Sequence, residues 1–261
     1  GAAIYNYGSG RFGGKSNPVI INATFVNNSA FAGGAIYNAG SGLTGGESNP
    51  IITNAVFVGN RASPGNGLGN GGAIYNEGQR GGQSNPTIIN ATFTANHAAN
   101  RGGAIYNDVR FGDGGESRPQ ITNSILFGNT AGGSPSQVEG DGASPQITFS
   151  IVEGGGSSGT GNLDADPRFT APFDPVGPDG TFATADDGLR LAPGSPALDA
   201  GTSSEISLPN EDLTGADRVQ NGTVDLGAYE GEVNLESIER RFYVDASAGG
   251  GNGGLSWADP L

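Results

Sequence analysis

Apolar and polar positions alternate along this chain in short bursts, and the same burst keeps returning. In Pro86-Thr87-Ile88-Ile89-Asn90-Ala91-Thr92-Phe93, Ile88, Ala91 and Phe93 fall on one face, and Thr87 and Thr92 on the other. That is the period of two expected of a strand. The phase slips at Asn90, which predicts a bend there between two short strands. β-Branched residues and the preceding proline support the strand reading. The same ten-residue pattern runs over Ser16–Phe25, Ser48–Phe57 and Ser84–Phe93, with degenerate versions at Ser117–Leu126 and Ser144–Val152.

A second motif precedes each copy. Ala-Ile-Tyr-Asn occurs at Ala3–Asn6, Ala35–Asn38, Ala73–Asn76 and Ala104–Asn107, with Tyr-to-Tyr spacings of 32, 38 and 31. Repeats of this length mean stacked units, none of which buries its own apolar face. The expected fold is all-β: a right-handed parallel β-helix of five to seven coils. Stacking places like residues about 4.8 Å apart. Asn22, Asn54, Asn90 and Asn123 then form one column, and Asn6, Asn38, Asn76 and Asn107 another. An amide both donates and accepts, so such columns can hydrogen-bond along the axis and satisfy a bend in the core. Phe25, Phe57 and Phe93, continued by Leu126 and Val152, form an aromatic column. Tyr5, Tyr37, Tyr75 and Tyr106 form a further one. The columns are read as structural, not catalytic.

Glycine-rich insertions fall at one phase of the cycle, over residues 7–15, 39–47, 77–83 and 108–116, with Ser63–Asn70 a single insertion elsewhere. They carry Arg11, Phe12, Lys15, Arg80, Arg110 and Phe111. One phase means one face, often the binding face of a solenoid; tolerated length variation is the plainer reading. Coils are expected over 1–153. Residues 154–231, rich in Asp, Gly and Pro, are expected to form terminal coils and a cap, because an open solenoid end is an unpaired sheet edge. Residues 232–261 read as a connector and an end strand.

Composition narrows the classes. The 261 residues include 49 glycines without a Gly-X-Y period, no cysteine and no methionine. Collagen, disulfide frameworks and thiolate chemistry are excluded. No apolar run approaches the roughly 18 residues of a membrane span. The net charge of -14 arises entirely beyond residue 150: residues 1–150 hold seven acidic and seven basic side chains, the remainder nineteen and five. Nucleic acid, which is bound through clustered Lys and Arg, is not an expected partner.

The two motifs resemble bacterial parallel β-helix proteins of the pectate-lyase-like superfamily. Leu163–Phe169, Leu189–Gly201 and Val224–Glu230 resemble the choice-of-anchor Q proteins more narrowly. The resemblance implies a secreted or surface-anchored bacterial protein and says little of activity. Phe242–Asp259 resembles the beginning of such proteins, yet here it comes last, as if the order were circularly permuted or cut across tandem copies. Phe242, Tyr243, Val244 and Trp257 would then contact the bare first coil of the next subunit, head to tail, or fold back within their own chain. The expected role is a structural subunit of an extracellular fibre. The alternative is a secreted carbohydrate-binding or polysaccharide-degrading protein using the faces around 77–83 and 108–116.

Candidate chemistry is sparse. Asp174, Asp179, Asp186 and Asp187, spaced among glycines, suit the oxygen-rich shell of Ca2+, although the spacing is not that of an EF-hand; acidic turns are the alternative. The resemblance suggests β-elimination of acidic polysaccharides, but the acidic balance and single lysine, Lys15, oppose it. His97, the only histidine, is expected in an exposed turn, aligned with Ser29 and Arg61. Asp108, Asp113 and Glu116 share a loop face without marking an acid and a base.

Overall fold

The computed structural model describes residues 2–9, 13–42, 45–65, 69–109, 114–142, 145–155, 158–204, 206–220 and 222–231. It is all-β, a parallel β-solenoid of about four turns. The first turn comprises β1 (Ile4–Tyr7), β2 (Val19–Val26) and β3 (Ser29–Ala30), and the second β4 (Ile36–Ala39), β5 (Ile51–Val58) and β6 (Arg61–Ala62). The third is β7 (Ile74–Glu77), β8 (Thr87–Thr94) and β9 (His97–Ala98). In the fourth, β10 (Ile105–Asp108) is followed by a split strand, β11 (Gln120–Thr122) and β12 (Ile125–Phe127), then β13 (Thr130–Ala131). β14 (Ser134–Pro135), β15 (Val138–Asp141), β16 (Gln146–Thr148) and β17 (Ile151–Val152) begin a fifth. Five to seven coils were expected; after Leu163, which still bridges Ile151, the Asp-, Gly- and Pro-rich chain offers no further run of β-branched residues to extend the ladder.

Three sheets wrap one core. Sheet 1 runs β1-β4-β7-β10-β15, sheet 2 runs β2-β5-β8 and then the split strands, and sheet 3 runs β3-β6-β9-β13-β14. Pairing is parallel throughout except for β14, which turns back antiparallel on β13. Register follows the repeat: Tyr37 pairs with Tyr75 and Phe57 with Phe93.

The phase slip in sheet 2 has a local cause. Asn22, Asn54, Asn90 and Asn123 have φ of 52°, 50°, 52° and 51°, a left-handed conformation that asparagine tolerates better than most residues. One such residue flips the alternation, so Ile88 and Ala91 both face the core. In the fourth turn it divides β11 from β12. Glycine meets a harder limit at Gly8, Gly40 and Gly78, where a Cβ would lie 1.7, 1.8 and 1.7 Å from the carbonyl oxygens of Glu47, Gln83 and Glu116. The glycine-rich insertions thus return to a common rung, bridging Lys15, Glu47, Gln83 and Glu116 in series; their ends are fixed by close backbone contact even though their lengths vary.

The core is a set of files. Phe25 stacks on Phe57 with centroids 4.7 Å apart and Phe57 on Phe93 at 4.4 Å, their rings nearly parallel. The aliphatic file of Ile36, Ile74 and Ile105 faces that of Ile52, Ile88 and Ile121. Two amide ladders close the corners. Asn6, Asn38 and Asn76 each donate Nδ2 to the Oδ1 of the next turn's Asn, at 2.7, 2.8 and 2.8 Å. The other, Asn28-Asn60-Asn96-Asn129, is absent from the sequence-derived columns. Each Oδ1 from Asn60 onward accepts both the backbone N–H and the Nδ2 of the preceding Asn, at 2.8–3.0 Å. Nδ2 of Asn60, Asn96 and Asn129 also reaches the carbonyls of Phe25, Phe57 and Phe93.

This ladder makes a testable difference. Asn96→Ala orphans the Asn60 N–H and the Phe57 carbonyl in a dry corner and is expected to cost on the order of 3 kcal/mol. Asn17→Ala, at the solvent side of the first turn, is expected to cost well under about 1 kcal/mol. Urea unfolding midpoints of the two variants compare them.

Candidate functional site

The largest feature added to the bare solenoid is a strap. Residues 163–231 belong to the same compact unit as the coils, but they lie along the outer flank of sheet 2. Leu189, Leu213, Ala228 and Tyr229 pack on Val56 and Val58; Leu191, Ala197 and Leu226 pack on Ile125 and Ile151. Thr92 faces outward, as its alternation requires, but is buried because its Oγ1 accepts the Ala228 N–H at 3.0 Å.

The left-handed asparagines hold this strap. Asn54 donates to the Glu211 carbonyl at 2.7 Å as well as to Asn22 Oδ1 at 3.0 Å. Asn90 presents its amide oxygen to Arg218, accepting from Nε at 3.0 Å and from Nη2. Asn123 donates to the Thr202 carbonyl at 2.8 Å and accepts the Thr202 N–H at 2.9 Å. The column was expected to run as a ladder within the core. It instead turns outward, because a left-handed residue on a strand aims its side chain away from the packed interior.

Arg218 is the centre of a buried polar cluster. Its Nε lies 3.2 Å from Glu230 Oε1, with both side chains shut off from solvent. Its remaining N–H groups donate to the carbonyls of Asp225, Gly227 and Ala228. Glu230 accepts the Asp225 N–H at 3.0 Å, and Asp212 accepts the Glu230 N–H at 2.8 Å. Burial pushes the Glu230 carboxyl up to about 8 against the pull of the guanidinium. Every donor around Arg218 has a local acceptor, so the cluster reads as a clasp. The sequence offered Val224–Glu230 only as a resemblance and did not join it to Arg218, a lone Arg within an acidic stretch.

The Asp-rich loop is knitted to itself. Asp179 Oδ1 accepts the Thr181 N–H at 2.7 Å, and Asp186 accepts the Asp179 N–H at 3.0 Å and the Thr184 hydroxyl at 2.7 Å. The hydroxyl and amide donors hold Asp186 below the usual carboxylate range. Asp187 is buried, accepting the N–H groups of Ala183 and Thr184 and the Tyr229 hydroxyl at 2.7 Å. Asp174 takes part through its carbonyl, which accepts from Gly177. Among the described residues, no three His, Cys, Asp or Glu side chains are grouped to hold a metal ion. The calcium expectation therefore rests on the sequence spacing alone.

The tyrosine file stands on the outer face of sheet 1. Centroid separations are 5.1, 4.9 and 5.6 Å from Tyr5 through Tyr37 and Tyr75 to Tyr106. Beside it runs a file of carboxylates, each accepting a hydroxyl from the turn before: Tyr37 to Glu77 at 2.6 Å, Tyr75 to Asp108 and Tyr106 to Asp141. Burial and these carboxylates raise the Tyr37 and Tyr106 hydroxyls out of the physiological range. Arg101 lies over the Tyr106 ring and pairs with Glu139 and Asp141. His97 is not in an exposed turn: it sits half-buried in β9, its Nδ1 3.0 Å from Thr130 Oγ1, and burial lowers its basicity.

The first turn is the exception to this closure. β1, β2 and β3 are edge strands, and Tyr5, Tyr7, Val19, Ile21 and Phe31 are exposed there. Arg11, Phe12, Arg110, Phe111 and Asp113 lie outside the described residues, as do Phe242, Tyr243, Val244 and Trp257. No helix among the described residues is long and apolar enough to cross a membrane. No protein-family model, curated protein or solved structure matches the chain.

The clasp can be tested. Arg218→Met leaves Glu230 buried without its partner and is expected to destabilise the strap by about 3–5 kcal/mol. Arg218→Met with Glu230→Leu is expected to recover most of the loss. Amide hydrogen exchange in residues 163–231 reads both; equal protection in the single variant and the parent would remove the assignment.

Proposed function

We propose that this chain is a structural subunit of an extracellular bacterial fibre or surface appendage, its copies joined head to tail. The reading rests on one observation: among the described residues, β1, β2 and β3 are edge strands of all three sheets, and Tyr5, Tyr7, Val19, Ile21 and Phe31 form a cluster of exposed apolar side chains on or next to them. Unpaired edges of this kind are templates for strand addition. A heterologous contact of this sort propagates into a filament unless rotation closes it. The resemblance to choice-of-anchor Q and pectate-lyase-like proteins agrees with a surface location.

The far end of the solenoid shapes the contact. Its sheet 2 edge is covered, with Phe149 donating to the Thr160 carbonyl and Asn162 to that of Ile147, and sheet 3 ends in the antiparallel β14. Flush stacking of one solenoid on another therefore finds an open ladder at that end only in sheet 1, at β15. Complementation by a donated segment from residues 232–261 is the form of assembly this reading favours. Glycan recognition is the second reading, and the exposed, stacked pair Tyr5 and Tyr7, 5.8 Å apart, is the observation in its favour.

The purified chain is expected to sediment as a polymer and to appear as filaments under negative stain. Deletion of residues 232–261 is expected to leave folded monomers. A parent chain that stays monomeric at high concentration and binds polysaccharide on an array would replace the fibre reading with the glycan one.

A further inference from the structure

The strap shows what kind of partner the outer face of sheet 2 takes. Four outward columns run across β2, β5, β8 and the split strands, and coverage changes abruptly between the first turn and the second. Thr53, Val56 and Val58 of β5 are 6%, 0% and 6% exposed. Their counterparts on β2 are Ile21, Thr24 and Val26, and Ile21 and Val26 are 54% and 36% exposed. Val19 and Ile51, paired at the start of the same strands, stand at 62% and 44%. This is an outer face, so a further coil added below the first turn would lengthen it without covering it.

The polar half of the site repeats as well. On the second, third and fourth turns the left-handed asparagine binds the strap: Asn54 through the Glu211 carbonyl, Asn90 through Arg218, Asn123 through the Thr202 backbone. Asn22 has the same backbone conformation and is exposed. Among the described residues its amide nitrogen has no partner, its oxygen being used by Asn54. The first turn thus offers one more unit of a groove already filled three times by an irregular segment bearing apolar side chains.

The path of the strap points to the source of the next segment. It meets Asn123 at Thr202, descends to Asn54 at Glu211, then climbs back past Asn90 at Arg218 to the Asn123 carbonyl at Gly227. Gly231 ends beside Leu191 and Leu198, which cover the fourth and fifth turns. The described chain thus stops on the fourth and fifth turns, and thirty further residues follow in the sequence. In a head-to-tail row, that end faces the first turn of another copy, where the uncovered part of the groove lies. Residues 233–244 have the matching chemistry: Val233, Leu235, Ile238, Phe242 and Val244 are apolar, no Gly or Pro interrupts them, and every backbone carbonyl is an acceptor for the Asn22 amide nitrogen.

We infer that the β2 flank, formed by Ile21, Asn22 and Val26, is the docking groove for residues 233–244 of a second copy of this chain. The inference rests on the head-to-tail reading and adds the acceptor site: a flank groove next to the edge, not the edge itself. The contact is an extension of the strap interface, with apolar side chains on Ile21 and Val26 and a backbone carbonyl accepting from the Asn22 amide nitrogen, as the Glu211 carbonyl does from Asn54.

Photo-crosslinking in the full chain tests it. Benzoylphenylalanine replaces Ile21 in one preparation and Val26 in another, and 14N and 15N copies are mixed before irradiation. Crosslinks joining position 21 or 26 of one isotope to residues 233–244 of the other are expected. Crosslinks confined to a single isotope, crosslinks to residues 19–26 of the second copy, or none at all would each overturn the groove. Ile21→Asp with Val26→Asp is the second arm. These side chains are exposed, so folding is expected to persist while the concentration for half-assembly rises at least about tenfold, the effect of setting carboxylates in an apolar contact. Filaments formed equally by this variant would sink the groove and leave the fibre standing, whereas a parent chain without filaments would sink the fibre reading itself.

Discussion

A solenoid this narrow has corners where the backbone must turn inside its own core, and the polar groups at those corners cannot reach water. The constraint on everything else is that each corner be satisfied by the same residue one turn along. Asparagine meets it because one amide both donates and accepts. The Asn28-Asn60-Asn96-Asn129 file does more: from Asn60 on, each oxygen takes two donors from the turn before and each nitrogen also closes a phenylalanine carbonyl. Substituting one member strips partners from two turns. Register along the axis is therefore fixed by hydrogen bonding, and the stacked phenylalanines and isoleucines fill a frame already set.

The left-handed asparagines solve a different problem with the same residue type. Their positive φ turns the alternation of sheet 2 and points the amide outward, where it anchors the strap. The strap in turn buries an outer face rich in Val and Ile that would otherwise meet solvent. Its own interior is irregular and polar, and the Arg218–Glu230 clasp supplies acceptors and donors for carbonyls and amides that no ladder can reach. Coils and strap are thus unlike in kind: one is held by repetition, the other by a single dense cluster. Loss of one clasp residue is a local event, whereas loss of one ladder residue spreads along the axis.

Repetition is also what made part of this legible in the sequence. Ala-Ile-Tyr-Asn and the Pro-anchored strand recur at a period that admits little besides a stacked solenoid, and the phase slip at Asn90 located the left-handed bend. The direction of the Asn90 side chain was not legible, because alternation gives the face of a residue but not what covers that face. The Asn28 file escaped notice because it sits in turns, outside any alternating strand. The clasp and the flank position of residues 163–231 were illegible for a further reason: nothing there repeats, and their contacts join residues far apart in the chain, such as Thr92 and Ala228. The acidic loop was legible only as a choice of two, since Asp serves turn amides and cations with the same oxygens.

The ladders also have a direction, and it bears on how two copies can meet. In the Asn6 and Asn28 files the nitrogen of one turn donates to the oxygen of the next, so the first turn spends its donors inward. At the other end the files terminate on groups of the fifth turn: Asn107 on the Glu139 carbonyl and Asn129 on Gln137 Oε1. The two ends of the solenoid are therefore chemically different. The first end presents amide oxygens that have no donor among the described residues; at the last, the nitrogens of both files are already bound. Two copies meeting first end to first end would set acceptor against acceptor at both corners, a mismatch that a symmetric pair cannot relieve. A partner that brings N–H groups to the first turn, arginine side chains among them, has no such conflict. The polarity of the amide files thus argues for a heterologous contact over an isologous one, independently of the exposed apolar flank.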